Sequence, residues 1–181
     1  MREVVLCAGT VGSPQIRNRG TIGGNVVTAS PAGDTIPALM CLDAVVHVDG
    51  AGGPRTIPME RFLLGPGKTA LAAGEVVTGF ALPAAGAAGA AGGCGGVAGT
   101  RLRWAYRKLG QRKALSISIA GVAVTLGLAG EAIVRARVAL GSVAPTVRRA
   151  TELEHALIGP VPDDARLKDL AVLARESASP I

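Results

Sequence analysis

Between Arg17 and Asp34 the sequence runs RNRGTIGGNVVTASPAGD. Gly20, Gly23 and Gly24 permit positive φ and close approach of a ligand to the backbone. Thr21 and Asn25 add a hydroxyl and an amide, and successive N–H groups of such a loop can face a phosphate. Asp34 can accept hydrogen bonds from sugar or polyol hydroxyls. It also precedes TIPALMCL, a short helix that it can cap by accepting a backbone N–H. The glycine spacing matches neither the Walker loop nor G-x-G-x-x-G. From these residues alone the segment reads as a phosphate-binding loop or as an ordinary tight turn.

Downstream, AVVHVDG (44–50) predicts a strand entering a Gly-rich turn, with PRTIPM as a short returning strand. EVVTGFAL (75–82) predicts a third strand ended by Pro83, and ERFLLGPG one helical turn broken by Gly65 and Pro66. Residues 84–99, AAGAAGAAGGCGGVAG, contain fourteen Ala/Gly in sixteen positions. Glycine at nearly every third position costs a helix about 1 kcal/mol each, so this segment is expected to be a flexible linker. It divides the chain into a first unit at 1–83 and a second at 100–181.

The second unit has clearer periodicity. In RLRWAYRKL, Leu102, Trp104 and Tyr106 alternate with Arg101, Arg103 and Arg107, which predicts a half-buried strand with a basic outer face. Both aromatics are thereby expected to face a core. SISIAGVAVTL and IVRARVALG predict two more strands joined by a hairpin at LAGEA, with Val134, Ala136, Val138 and Leu140 alternating with Arg135 and Arg137. After Pro145, Ala150, Leu153 and Leu157 fall at helical spacing, and Leu167, Leu170 and Leu173 line a second helix from about Asp163 to Ser177. Three antiparallel strands followed by helices make the fold class α+β.

Composition narrows function. At 49% hydrophobic and 18% charged, the 181 residues suit a folded core rather than a disordered chain. The longest apolar run, Ile117 to Gly130, includes Ser118, Thr125 and three glycines, and falls short of the roughly 18–20 residues of a spanning helix. With no signal peptide at MREVVLCAGTVGSP, a cytoplasmic protein is expected. Cys7, Cys41 and Cys94 have no C-x-x-C spacing, and neither His47 nor His155 has a second ligand nearby, so no metal site is expected. The net charge of +6 resides entirely in residues 84–181, and Arg101, Arg103, Arg107, Lys108, Arg112 and Lys113 form a cluster without an acid. Such a cluster invites an anionic partner. Nucleic acid is disfavoured, because on a strand Trp104 and Tyr106 lie opposite the arginines instead of beside them as a stacking platform.

GTIGGNVVTASPAGD resembles the flavin-binding signature of the FAD-binding medium subunit of the molybdenum hydroxylases, a family that includes xanthine dehydrogenase and carbon monoxide dehydrogenase. FLLGPGKTALAAGEVVTGFALP is similar to the family's following segment. YRKLGQRKALSISIAGVAV and RVALGSVAPTVRRATELEHAL resemble the start and the later A-L-G-x-V-A-P-T part of its C-terminal domain. The matches run in order along nearly the whole chain.

The resemblance implies a partial FAD-binding domain (1–83) and a C-terminal flavoprotein domain (100–181) with a three-stranded antiparallel sheet packed with helices. It implies FAD contacts at Thr21, Ile22, Gly23, Gly24 and Asn25 for the pyrophosphate and ribityl chain, with Asp34 as the sugar or polyol partner. Val77 would be an apolar contact to the flavin and Lys108 a cation near it, with no catalytic residue and no metal ligand in this chain. Implied partners are a molybdopterin-binding large subunit and a 2Fe-2S small subunit, in a heterotrimer or a dimer of heterotrimers. The family's preceding subdomain, with a second Gly-rich loop of the A-G-G-T-x-L kind, has no counterpart in this sequence, so the chain is expected to hold one half of the FAD clamp. The alternative role is a non-catalytic scaffold that binds no flavin.

Overall fold

The computed structural model describes residues 18–83, 100–111 and 117–179. The Ala/Gly segment at 84–99, Cys7, Cys94, Arg112 and Lys113 lie outside the described residues. In chain order the elements are helix α1 (Ile22–Val27), α2 (Thr35–Cys41), β1 (Val45–Asp49), β2 (Arg55–Pro58), α3 (Met59–Phe62), β3 (Leu63–Gly65), β4 (Lys68–Thr69) and β5 (Val76–Ala81). The second half continues with β6 (Arg101–Gly110), β7 (Ser118–Ala129), β8 (Ala132–Gly141), β9 (Arg148–Arg149), α4 (Thr151–Ala156), β10 (Gly159–Pro160) and α5 (Asp164–Glu176).

Two antiparallel sheets carry the molecule, ordered β2-β1-β5 and β10-β8-β7-β6, with β9 also on β8. The hairpin between β7 and β8 turns at Gly130, whose φ of +59° is the conformation that favoured two-residue turns reserve for glycine. Because β7 and β8 pair with Ala123 opposite Ala139 and Gly121 opposite Gly141, one face of the sheet has a strip of very small side chains. Helix α2 lies on that strip. A methyl group on Gly141 would stand 3.1 Å from Pro37 Cγ, and Cys41 Sγ donates to the carbonyl of Ala123 at 3.1 Å. Ile36, Leu39 and Met40 of α2 share one buried core with Val46, Val48 and Ile57 of the small sheet and with Ala123 and Ala139 of the large one. On the opposite face Val138, Leu140, Ala150, Leu153 and Leu170 form a second core beneath α4 and α5.

Three expectations from the apolar periodicity change in the structure. Gly127 pairs with Arg135 but Leu128 with Ile133, so Val134 is an extra residue in β8. This bulge turns Val134 out to solvent and buries Ile133 instead. Leu167 is also exposed, leaving Leu170 as the buried leucine of α5. Trp104, expected in a core, is 70% exposed. The reason is position: α2 covers β7 and β8, whereas β6 is the edge strand beyond it.

The C-terminal end of α2 shows how the halves are tied. The Ala44 N–H donates to Leu39 O and the Asp43 N–H to Met40 O, a Schellman closure that normally places glycine where Asp43 stands at φ +49°. Asp43 keeps this conformation while its carboxylate accepts from Arg135 at 2.5 Å, Arg137 at 3.3 Å and Arg149 at 3.2 Å. Arg149 also pairs with Glu154, which accepts the Val138 N–H at 2.9 Å. Arg135 and Arg137, which the sequence shows only as alternating with apolar residues, are therefore turned inward. The substitution Asp43→Gly relaxes the backbone yet removes the carboxylate that three partly buried guanidinium groups share. It is expected to lower stability by about 3 kcal/mol in urea unfolding. An Asp43→Gly variant as stable as the parent would reduce Asp43 to a simple helix stop.

Burial also pushes the Cys41 thiol up to about 12. The folded state holds this proton to a higher pH than the unfolded chain, whose thiol titrates near about 8.5. The stability Cys41 contributes is thus complete below that pH and is lost as pH rises towards 12. Native alkylation at pH 8, followed by mass spectrometry, is expected to leave Cys41 unmodified until denaturant is added.

Candidate flavin site

Thr21 has extended backbone (φ −112°, ψ 157°), and its Oγ1 accepts the Gly24 N–H at 2.9 Å, which starts α1. The glycine-rich stretch thus forms one and a half turns of helix where the sequence alone points to a loop. A short polar cap offsets the cost of two helical glycines, and tertiary contact supplies the rest. Thr21, Ile22, Gly24 and Asn25 face solvent. The N–H groups of Ile22 and Gly23 have no acceptor among the described residues. Beneath them lies β5: a methyl on Gly23 would stand 3.8 Å from Val77 Cγ1, and Val77 is half-buried against the shared core.

Asn25 connects this segment to the next. Its Oδ1 accepts a short hydrogen bond from Thr35 Oγ1, the first residue of α2. Asp34 immediately precedes it, but its side chain does not cap α2, contrary to the expectation from sequence. Its backbone is already helical (φ −64°, ψ −24°), whereas a capping residue needs extended backbone to fold its side chain back. The carboxylate instead projects to the large sheet. Lys108 Nζ donates to Oδ2 at 2.6 Å, while Ser118 Oγ at 2.7 Å and Tyr106 Oη at 2.9 Å donate to Oδ1. Asp34 is buried, and with three internal donors it has few acceptor positions left for a ligand hydroxyl. Burial, together with the hydrogen bond to Asp34, pushes the Tyr106 hydroxyl well above the usual tyrosine range, so it remains a donor.

The structure thus gathers the eight residues singled out in the sequence into two adjoining groups. Thr21, Ile22, Gly23, Gly24 and Asn25 form a segment that meets Val77 at Gly23, and Asp34 grips Lys108. Three further members, Thr35, Tyr106 and Ser118, are not singled out by the sequence. Tyr106 lies two residues from Lys108 on the same strand face, a period-two signal that could have found it; Ser118 comes from another strand, and only folding delivers it. His47 and His155 are both exposed, and the described residues contain no group of three or more His, Cys, Asp or Glu able to hold a metal. No helix among them is long and apolar enough to cross a membrane.

Comparison with known proteins places both groups in matched domains. Residues 2–85 match the FAD binding domain in molybdopterin dehydrogenase, and residues 104–181 match the CO dehydrogenase flavoprotein C-terminal domain. The chain belongs to the flavin-subunit family of the molybdopterin dehydrogenases. This flavin-subunit homologue is 35% identical to the carbon monoxide dehydrogenase medium chain of Hydrogenophaga pseudoflava, over 82% of its own length and 47% of that protein. It is 31% identical to the glyceraldehyde dehydrogenase medium chain of Sulfolobus acidocaldarius, over 94% of its length and 56% of the relative. The solved structure of the Hydrogenophaga pseudoflava carbon monoxide dehydrogenase aligns with a TM-score of 0.81 and 33% identity, covering 95% of this chain and 55% of that one. The chain therefore spans about half the length of these relatives.

The donor set fits an FAD molecule. Amides and an exposed asparagine suit a pyrophosphate, glycines let it approach the backbone and Lys108 adds a cation, while Val77 packs beneath Gly23 and supports the segment. In the Asp34 cluster, Asp34→Asn preserves shape but removes the charge facing Lys108. It is expected to cost roughly 3 kcal/mol. A double-mutant cycle in urea with Lys108→Met is expected to show the two losses strongly non-additive, with the double variant recovering part of the cost. Simple additivity would mean that the pair contributes nothing as a pair.

Proposed function

We propose that this flavin-subunit homologue holds FAD in the electron-transfer part of a molybdenum-containing hydroxylase or dehydrogenase. In that role it works beside a molybdopterin-binding large subunit and a 2Fe-2S small subunit. The observation that carries the reading is the continuity of the site across both matched domains: the Asn25–Thr35 hydrogen bond joins the TIGGN segment to Asp34, and Asp34 holds Lys108 of the second domain. FAD supplies the exchange of one or two electrons between the iron–sulfur clusters and an acceptor. The chain's residues bind and orient it. The N–H groups of Ile22 and Gly23 and the Asn25 amide bind pyrophosphate oxygens, with Thr21 keeping the turn in shape. Val77 supports the segment from below. Asp34 positions Lys108 and Tyr106 rather than carrying the main ligand contact, and Lys108 sets the positive potential at the flavin.

FAD titration of the purified chain, followed by flavin fluorescence, tests this reading. Binding is expected, alone or with an added N-terminal flavin subdomain. Asn25→Ala and Lys108→Met should each weaken it by about tenfold, equivalent to about 1.4 kcal/mol. Lys108→Met should also make the flavin midpoint potential more negative, because a cation favours negative charge on the reduced ring. Absence of FAD binding under both conditions would overturn the proposal and leave a scaffold role.

A further inference from the structure

β6 ends the large sheet, and among the described residues no strand pairs with its outer edge. At ten residues the free edge is about 33 Å long, and it presents unpaired N–H and C=O groups along its length. Natural proteins blunt such edges with charge, bulges, proline or a covering segment. Here Arg101, Arg103 and Arg107 on one strand face are exposed and make no ion pair among the described residues. The other face carries half-buried Leu102 and Trp104, the chain's sole tryptophan, 70% exposed. The arginines disfavour edge pairing with a second copy, since that would set one basic strand against another. An exposed tryptophan is no deterrent to pairing; it is the residue type most often found anchoring a protein contact.

We propose that the outer edge of β6 receives an extended, acidic segment of a partner protein, which joins the sheet as a further strand. Alternate Asp or Glu side chains of that segment would face Arg101, Arg103 and Arg107, and its intervening apolar side chains would cover Leu102 and Trp104. This surface stands independently of the flavin reading, although the same strand carries Tyr106 and Lys108, so the added strand lies about 5 Å beyond the residues holding Asp34. A nucleic acid strand fits less well. Its phosphates are acceptors only and cannot satisfy the edge carbonyls, and the arginines and Trp104 lie on opposite faces, so one strand cannot meet both with phosphates and stacked bases.

The full chain is titrated with a capped ten-residue peptide of alternating glutamate and valine, read by Trp104 emission and acrylamide quenching. A blue shift with reduced quenching is expected. The double variant R101E/R103E, with unchanged far-UV circular dichroism, should weaken binding at least tenfold and instead bind an alternating lysine–valine peptide. A glutamate–valine peptide N-methylated at alternate residues should not bind, because it cannot extend the sheet. The proposal is overturned by equal binding of the N-methylated peptide, which would reduce the contact to charge. It is equally overturned if Trp104 is already shielded in the free monomer, if the chain sediments as a dimer that shields it, or if oligothymidine shifts the emission and the peptide does not.

Discussion

Helix α2 rests on a strip of the large sheet where Gly121, Ala123, Ala139 and Gly141 leave almost no side-chain volume, and a carboxylate at each end of the helix holds it there. Asp34, before the first turn, takes three donors from β6 and β7; Asp43, after the last, takes three guanidinium groups from β8 and β9. Close approach and charge work together. Small residues bring the helix near enough for short acidic side chains to reach the sheet, and the hydrogen bonds keep the partly buried charges from being left unpaired. Neither half has this core without the other, since Ile36, Leu39 and Met40 of α2 bury against both sheets.

The same contact organises the candidate site. Asp34 belongs simultaneously to the scaffold and to the site, because the residue that seats the helix also fixes Lys108 and Tyr106. The short bond from Thr35 to Asn25 extends that rigidity to the glycine-rich segment. A cation delivered by a flexible side chain has its position set by its partner, so the electrostatics offered to a flavin would depend on the packing of α2 as much as on the identity of Lys108.

Period-two reading of the second half succeeds in β6 and β7 and fails at one residue of β8. The bulge at Val134 inserts a position that no alternation rule anticipates, and a slip of one residue exchanges the faces of everything beyond it. Trp104 shows a different kind of failure. Its face is correctly assigned, but a face is covered only where another element lies over it, and α2 stops short of β6. Similarly, the glycine-rich segment was legible as a place of close backbone approach, yet its helical form rests on Thr21 capping and on Val77 beneath it.

By itself the sequence determined the longer strands and the helices of the second half, the α+β class, the order of the family motifs and the identity of the polar groups within the TIGGN segment. Those properties rest on periodicity, turn chemistry and residue type, all of which are read within a few neighbouring positions. Tertiary structure alone decided that Asp34 turns away from its helix to meet Lys108, Tyr106 and Ser118, and that Asp43 draws Arg135 and Arg137 inward. These partners, with Arg149, are separated by 72 to 106 positions along the chain. Their pairing follows from burial, which makes an unpartnered charge costly and so selects, among all the acids and bases present, those that the packing of α2 brings within reach.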